Sequence, residues 1–506
     1  MLINSVAMFS KGKCDVKYNR LKSESEAKAF NKRICALKIF YFSAILFVFV
    51  FIIFIYMQDY FKTSNAKFKA HNAKPIMQKN ESKDTDLPNP PPSTHLPSVQ
   101  TPHVDHTSTS PPAPKACGVQ VKDSPVIKVG NLHTYVIGSY MDYRFREKQI
   151  KTIAIIRRQE QVKYRCVMCC EGRNVTSPAE YIIHSDHFGF EYGTATITCH
   201  ISSPCSKPTH VAITAREISE SITSFQPVRN RDVPAVFPFE FTICISVMYD
   251  YKNVLNLVES MEMFRLLGAQ RVAIYKTNCD SDTQKVLDYY VKRGFVEIIP
   301  WTIKKHINVS SGWRKDLSSG QLHYYGQIPA LNDCIYRYMY QSHYVALHDI
   351  DELILPLKVK TWTELLPELE RIYGTTVGFE FENNVFSFNA KPHMEYKQDK
   401  WKNVPGWNIL NYIERIPINP SAFNNYKVIV SPRLVLKATV HGLLETVNPG
   451  STTVRVSNSI ARMYHSKNFI YPQNTNLIRD DHLWDYAKDL IPAVSKVLQD
   501  CGFIEA

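Results

Sequence analysis

The stretch that decides the predicted fold is 242–277, TICISVMYDYKNVLNLVESMEMFRLLGAQRVAIYKT. It begins with an apolar run typical of a buried strand, and apolar residues then recur at helical spacing from about Asn253 until Gly268. The stretch ends in a second strand. A second helix over Thr283–Arg293 and a third strand over Val296–Ile299 continue the alternation. Alternating strands and helices predict a parallel sheet with right-handed crossovers.

A further predicted strand, His343–Leu347, runs directly into a cluster of acidic residues. In an extended segment, residues i and i+2 point the same way, so Asp349 and Asp351 can converge on one ion. Open α/β sheets bind ligands outside the carboxyl ends of their strands, which is where this pair lies. Carboxylate oxygens suit Mg²⁺ or Mn²⁺. The sequence has no glycine-rich phosphate loop, so we expect the metal to neutralise a diphosphate in its place.

The N-terminal region predicts a membrane anchor. Residues 39–57 are nineteen residues without a charge, which span roughly 28 Å as a helix. Residues 1–38 hold nine Lys or Arg and three acidic residues, so the positive-inside rule makes them a cytoplasmic tail. Residues 58–506 then face the lumen, as in a single-pass type II protein. Part of the net charge of +13 belongs to this tail, which argues against nucleic-acid binding.

Cysteines and sequons agree with a lumenal location. Ten of the twelve cysteines follow the anchor, an even number suited to an oxidising compartment. N-glycosylation sequons begin at Asn80, Asn174 and Asn308. A short anchor is sorted toward the thinner membranes of the early secretory pathway. We therefore expect a membrane protein of the Golgi or endoplasmic reticulum.

The rest of the chain divides by composition. Residues 58–116 are rich in Pro, Ser and Thr and predict an extended stem. Residues 117–232 predict a small β-rich, cysteine-containing module, and residues 237–506 the α/β catalytic domain. The cysteines of the module favour disulfides over a zinc site in a lumenal chain, and the sequence does not give their connectivity. This set includes Cys166, Cys169, Cys170, Cys199 and Cys205.

Several segments carry a resemblance to a known family. They are Phe237–Met248, Leu267–Ala269, Arg271–Tyr275, Val286–Gly294, Gly326–Cys334, Ala346–Pro356 and Met463–His465. On these residues the chain resembles glycosyltransferase family 92, which is abundant in nematodes. The resemblance implies a GT-A-type, Rossmann-like fold and inverting transfer of galactose from UDP-galactose to fucose or galactose on glycans, with β1,4 linkage.

The resemblance also implies roles for particular residues. Asp349 and Asp351 would hold the metal and the donor diphosphate, and His465 would be a third ligand, with His441 as its competitor. This chain has His465-Ser466-Lys467 where family members often have His-Tyr-Arg. Candidate contacts to the donor follow strands or lie in the preceding helix: Tyr249, Asp250, Asn278, Gln327 and Asn332.

Inverting transfer also needs a general base for the acceptor hydroxyl. Glu382, Glu445 and Asp481 are candidates, and none stands out. Aromatic residues that could stack on sugars are Trp401, Trp407 and Phe386. The alternatives are the same fold with another UDP-sugar, a catalytically silent lectin-like or scaffold protein of the membrane, and a cell-surface adhesion protein.

Overall fold

The computed structural model describes residues 115–121, 124–201, 205–215, 225–374 and 376–505. They belong to one compact unit, Thr107–Ala506. The predicted tail and anchor, nearly all of the stem, and Asn80 lie outside the described residues. Within the described ranges, no helix is both long enough and apolar enough to cross a membrane.

The first part of the described chain contains a closed β-barrel. Its sheet has the strand order β10-β9-β6-β7-β8-β5-β4-β3, and β10 pairs in parallel with β4 as well. Seven strands, β4 to β10, therefore close on themselves, while β1 and β2 form a separate hairpin. The strands are β1 (Lys115–Ala116), β2 (Val119–Gln120), β3 (Ile127–Lys128), β4 (Thr134–Asp142), β5 (Gln149–Arg157), β6 (Tyr164–Cys170), β7 (Arg173–Ile183), β8 (Tyr192–His200), β9 (His210–Ala215) and β10 (Gln226–Arg229).

Disulfides hold the barrel strands together. Three join Cys117 to Cys169, Cys166 to Cys199 and Cys170 to Cys205. The expectation of disulfides in place of a zinc site is confirmed for these cysteines. A fourth disulfide, Cys244–Cys334, lies in the second half of the chain, and Cys279 and Cys501 are free thiols.

The second half contains a seven-stranded mixed sheet, a five-stranded sheet and a two-stranded hairpin. The strands are β11 (Phe239–Met248), β12 (Arg271–Lys276), β13 (Val296–Pro300), β14 (Ser342–His348), β15 (Glu352–Pro356), β16 (Gly378–Phe381), β17 (Asn383–Ser387), β18 (Glu414–Arg415), β19 (Lys427–Val430), β20 (Val435–Thr439), β21 (Gly442–Thr446), β22 (Val454–Arg455), β23 (Ala461–Lys467) and β24 (Ile478–Arg479). The α-helices are α1 (Val254–Leu266), α2 (Ser281–Lys292), α3 (Gln327–Tyr338), α4 (Trp362–Tyr373) and α5 (Ala487–Asp500).

In the seven-stranded sheet the order is β13-β12-β11-β14-β19-β16-β22. The first four strands in this order, β13, β12, β11 and β14, are mutually parallel. Strand β19 is antiparallel to both β14 and β16. The five-stranded sheet has the order β15-β23-β17-β18-β24, and β20 pairs with β21. The alternation of strands and helices that the sequence predicts between 242 and 299 is therefore present locally.

The predicted fold class is nevertheless wrong for the described chain. An α/β fold of GT-A, Rossmann-like type was expected, but the described residues are mostly β, with 24 strands, five α-helices and a closed seven-stranded barrel. The described residues also contain no membrane-spanning helix. The prediction extended the local pattern of 242–299 to the whole domain. Beyond β14, however, the chain adds short strands that pair mostly antiparallel and mostly with partners remote in sequence, so periodicity does not reveal them.

The barrel and the seven-stranded sheet share a hydrophobic core. Strand β4 is buried along its whole length. Its residue Val136 packs inside the barrel, while Tyr135 and Ile137 pack in the cluster that contains β11, β14 and α3. Both faces of β4 are therefore covered. This packing fixes the barrel against α3.

A buried polar cluster lies at the same boundary. The carboxylate of Asp333 on α3, which is fully buried, accepts hydrogen bonds from the hydroxyls of Tyr140 and Tyr275 and from the guanidinium of Arg337. A Cβ atom on Gly138 of β4 would lie 2.4 Å from Asp333 Oδ1. The close approach of the barrel to α3 thus requires glycine at this position.

Candidate active site

Parallel strands bring the predicted polar residues to one edge of the seven-stranded sheet. Strands β11 and β14 are parallel neighbours, and both end there. Beyond their carboxyl ends is a cavity of about 710 Å³, which we call the strand-end cavity. Its lining includes Ser246, Tyr249, Asp250, Asp349, Asp351, Gln327, Trp407 and His465.

Asp349 follows β14 and is half-buried at the cavity wall. Its Oδ2 lies 2.9 Å from Lys427 Nζ, and its Oδ1 accepts hydrogen bonds from Gln327 Nε2 at 3.3 Å and Ser246 Oγ at 3.4 Å. Burial acts to raise the pKa of this carboxyl, but the charge and hydrogen bond of Lys427, together with His465 and His441, hold the pKa below its ordinary value. Asp349 is therefore ionised at neutral pH.

Asp351 is more open to the cavity, with 44% of its side chain exposed. His465 on β23 faces it because β15 and β23 pair with Glu352 opposite His465. The His465 Nε2 atom lies 3.4 Å from Asp351 Oδ2, and its Nδ1 lies 3.3 Å from Asn383 Oδ1. The structure thus brings Asp349, Asp351 and His465 to one cavity wall.

The structure adds two residues that sequence reasoning missed. Lys427, the first residue of β19, is almost fully buried, and its Nζ lies 2.9 Å from Asp349 and 3.4 Å from Glu352 Oε2. Burial lowers the pKa of Lys427, but the two carboxylates outweigh it, so the pKa is raised overall. Burial raises the pKa of Glu352 to about 7 in spite of Lys427. For Lys427, the only signal in the sequence was its place at the start of the apolar run KVIV, 427–430.

The donor groups at this wall suit a metal only in part. The described residues contain no group of three His, Cys, Asp or Glu side chains arranged to hold an ion by themselves. Mg²⁺ is commonly bound by one or two protein groups and completed by substrate phosphates. Asp351 and His465 fit that arrangement, since their donor atoms are near each other and line the cavity. Asp349 already pairs with Lys427 through its Oδ2 atom, so its role as a metal ligand stays a prediction.

The five predicted donor contacts separate into two groups. Tyr249, Asp250 and Gln327 line the strand-end cavity. Asn278 supports Asp250 from outside it, since its Oδ1 accepts from the Asp250 backbone N–H at 3.1 Å. Asn332 is fully buried in α3, where its amide bonds to backbone atoms of Ile328 and Ala438.

Tyr249 is held rigidly at the cavity. Its ring stacks on Tyr325 with centroids 3.6 Å apart, and its hydroxyl bonds to that of Tyr324 at 3.1 Å. Asp250 has φ of +45°, a left-handed conformation that is uncommon for a residue with a side chain. Such outliers concentrate at functional sites.

The structure does not bring the three predicted bases to the cavity. Glu445 pairs with Lys437, and Asp481 lies 2.9 Å from Arg479. Glu382 precedes β17, and none of the three lines the strand-end cavity. The carboxylates that do line it are Asp250, Asp349 and Asp351.

The predicted aromatic and glycosylation residues also have defined places. Trp401 and Phe386 are buried core residues, whereas Trp407 is 46% exposed and lines the strand-end cavity. Asn174 on β7 and Asn308 are exposed. Their accessibility is compatible with glycosylation, which stays a prediction.

A second cavity of about 580 Å³ adjoins the first, and we call it the aromatic cavity. It shares the residues Tyr324, Gln327, Asp349 and His465 with the strand-end cavity. The lining also includes His441, the competitor of His465 as the predicted third metal ligand. Burial lowers the pKa of His441 to about 4, so its ring is neutral. His441 lines this cavity and not the strand-end cavity.

The sequence comparisons define the class of protein to which this site belongs. The profile of glycosyltransferase family 92 matches residues 239–493, which include β11 to β24 and all the residues of the strand-end cavity. The chain belongs to glycosyltransferase family 92.

Curated relatives are found in Caenorhabditis elegans. The chain is 24% identical over 257 residues to "Beta-1,4-galactosyltransferase galt-1", covering 49% of this chain and 53% of that protein. It is 28% identical over 120 residues to "Glycosyltransferase family 92 protein F13G3.3", covering 24% of this chain and 23% of that protein. It is 23% identical over 141 residues to "Glycosyltransferase family 92 protein C33H5.2", covering 28% and 26%. The chain thus spans about half or less of the length of these relatives.

Proposed function

We propose that this protein is a metal-dependent, inverting glycosyltransferase that transfers galactose from UDP-galactose to fucose or galactose on glycans. The observation that carries the proposal is the convergence of Asp349, Asp351 and His465 on the strand-end cavity. Family membership supports glycosyl transfer. The relative named as a β-1,4-galactosyltransferase supports galactose as the sugar.

In this proposal the strand-end cavity binds the nucleotide sugar. Asp351 and His465 would hold Mn²⁺ or Mg²⁺, which would supply positive charge to the donor diphosphate. Tyr249 and Asp250 also line the cavity, and their polar and aromatic groups can contact the nucleoside. Gln327 is buried and shared by both cavities, so it can orient the sugar between them.

Lys427 keeps the acidic wall from repelling the donor. Three carboxylates, Asp349, Asp351 and Glu352, lie within one short segment, and the donor diphosphate is itself an anion. The buried ammonium of Lys427 compensates Asp349 and Glu352 from behind the wall. Asp351 is then the only one of these three carboxyl groups that Lys427 does not compensate, which favours it as the group that attracts a cation.

A direct measurement of nucleotide release tests the proposal. The full-length chain is incubated with UDP-galactose, UDP-N-acetylglucosamine and UDP-glucose, each with Mn²⁺ and with oligosaccharides that end in fucose or galactose. We expect UDP release that depends on both the acceptor and the metal and is fastest with UDP-galactose. A faster reaction with another UDP-sugar would revise the proposed donor sugar and leave the proposed glycosyl transfer unchanged. Absence of release with every donor would instead support the silent lectin-like alternative.

We also propose that the protein works in the Golgi or endoplasmic reticulum, anchored by residues 39–57 with the catalytic part in the lumen. The disulfides of the barrel support an oxidising compartment. A glycosidase-sensitive mass on Asn174 or Asn308 in protein from eukaryotic cells tests this topology. Lack of glycan on both exposed asparagines would count against it.

A further inference from the structure

The aromatic cavity differs from the strand-end cavity in its side chains. Three large aromatic residues of its lining are exposed: Phe423 is 75% exposed, Trp313 60% and Phe188 37%. They come from three segments that are remote in sequence. Single exposed apolar residues are ordinary, but several that converge on one cavity mark a binding site.

One of these aromatics is held in a strained conformation. Phe188, in the connection between β7 and β8 of the barrel, has φ of +50°, which is costly for a bulky residue. Its ring stacks on His323 with centroids 4.3 Å apart and an interplanar angle of 18°. The barrel therefore contributes a fixed aromatic surface to a cavity that also contains Asp349.

His323 is an independent sign of a missing ligand. Only 4% of the residue is exposed, yet neither ring nitrogen has a hydrogen-bond partner among the described residues. Burial lowers the pKa of His323 to about 4, so the ring is neutral and offers one donor and one acceptor. A buried polar group without a partner is unfavourable. A hydroxylated ligand in the cavity would satisfy it once the side chains that cover both ring nitrogens move to admit a ligand oxygen.

The charge of the cavity limits what the ligand can be. Its described lining includes no Lys or Arg, whereas Asp186, Asp349 and Glu352 contribute carboxyl groups. Asp186 also comes from the barrel, and it accepts a hydrogen bond from Thr439 Oγ1. Because Lys427 compensates Asp349 and Glu352 from behind, Asp186 is the carboxyl group of this lining that has no ion-pair partner among the described residues. An anionic sugar would therefore meet Asp186 and find no cation in the described lining to bind it.

The aromatic cavity adjoins the proposed donor site. It meets the strand-end cavity at Tyr324, Gln327, Asp349 and His465. Glycosyl transfer requires the acceptor hydroxyl to reach the anomeric carbon of the donor, so the two sugars must meet at one shared wall.

We propose that the aromatic cavity binds the acceptor as an uncharged sugar, whose apolar ring face lies on Trp313 and Phe423 and whose hydroxyls bond to His323. This inference rests on the proposed function, and it assigns the barrel a direct part in acceptor recognition through Asp186 and Phe188. Trp313, His323 and Phe423 line the aromatic cavity and not the strand-end cavity, so substitutions there should act on acceptor binding and leave donor binding unchanged.

Steady-state kinetics of aromatic variants test the inference. Trp313→Ala and Phe423→Ala are compared with Phe469→Ala, which removes a 41% exposed aromatic ring that lines neither cavity. Rates are measured with the preferred donor and with methyl α-L-fucoside or methyl β-D-galactoside as acceptor. We expect the acceptor KM to rise about 10-fold or more in both cavity variants. The donor KM and the slow release of UDP to water should stay within about twofold of the unmodified protein, as should all three values for Phe469→Ala.

The outcomes separate this inference from the proposed function. Normal acceptor KM values in both cavity variants would overturn the acceptor site while leaving the transferase standing. Absence of UDP release from the unmodified protein would overturn the proposed function itself, and saturation-transfer NMR with the same methyl glycosides would then report the site directly. In that experiment the unmodified chain should bind the glycoside and Trp313→Ala should not; equal signals from both would refute the site.

Two further measurements sharpen the test. His323→Gln retains a donor and an acceptor, and it should raise the acceptor KM less than His323→Leu does, although the two variants share a similar loss of stacking on Phe188. An acceptor capped by sialic acid should be used at least about 10-fold less efficiently than the uncapped acceptor. Equal use of the two acceptors would contradict the neutral character assigned to the cavity.

Discussion

Lys427 Nζ lies 2.9 Å from Asp349 Oδ2, so the first aspartate of the acidic cluster has a buried cation as its partner. The same ammonium lies 3.4 Å from Glu352 Oε2. Two of the three carboxyl groups between 349 and 352 are therefore compensated by the protein itself. Asp351 remains open to the cavity with His465 beside it.

Removal of this cation should destabilise the protein. In Lys427→Met, the buried Glu352 and the half-buried Asp349 lose their partner. We expect a loss of about 3–5 kcal/mol in the free energy of unfolding, measured with urea. Lys437→Met is the matched control, because its partner Glu445 is 48% exposed and the loss there should be below about 1 kcal/mol. A loss in Lys427→Met no larger than in the control would show that the buried pair is unimportant for stability.

Asp351 should be required for catalysis but not for folding. We expect Asp351→Ala to lower metal-dependent nucleotide release by about 100-fold or more, with little change in unfolding temperature, because the side chain is half-exposed. Calorimetric titration of Mn²⁺ with UDP should show weakened binding. Asp282→Ala removes an exposed carboxylate on α2 and serves as the control. Full activity of Asp351→Ala would mean that the metal lies elsewhere.

Stability should fall in mild acid because of a buried histidine in the barrel. Burial lowers the pKa of His184 from 6.5 to about 3. The unfolded chain therefore binds a proton at a higher pH than the folded chain does. The contribution of His184 is fully present above pH 6.5 and is lost progressively as the pH falls toward 3.

Between pH 6.5 and 5.0 this loss should be about 2 kcal/mol, seen in urea unfolding at each pH. The slope should be smaller in His184→Gln, which does not titrate, than in His200→Gln, which replaces a half-exposed histidine of β8. Identical slopes in the two variants would rule out His184 as the source.

Gly138 should not tolerate a side chain. In Gly138→Ala, the new Cβ would lie 2.4 Å from Asp333 Oδ1 and 2.6 Å from Tyr140 Oη, so α3 and the barrel must separate. We expect a loss of about 1–3 kcal/mol in thermal or urea unfolding. Gly193→Ala on β8 is the control, because its Cβ would meet the Ile183 side chain at 3.0 Å, which can move. Equal stability of the two variants would argue against a tight fit at Asp333.

The sequence by itself determined the local elements and the family. The runs at 242–248 and 343–348 form buried strands, and their ends carry residues that line one cavity. The resemblance to glycosyltransferase family 92 is confirmed by the match over 239–493. These features depend on residue spacing within a short segment, which periodicity reports directly.

Only the tertiary structure decided the fold class and the completed site. The barrel closes because β10 pairs with β4, almost 90 residues earlier in the chain, and Lys427 reaches Asp349 because β19 pairs with β14. The aromatic cavity joins Phe188, Trp313 and Phe423 from three remote segments. Such contacts depend on which strands pair and on how buried charges find partners, and neither leaves a periodic signal in the sequence.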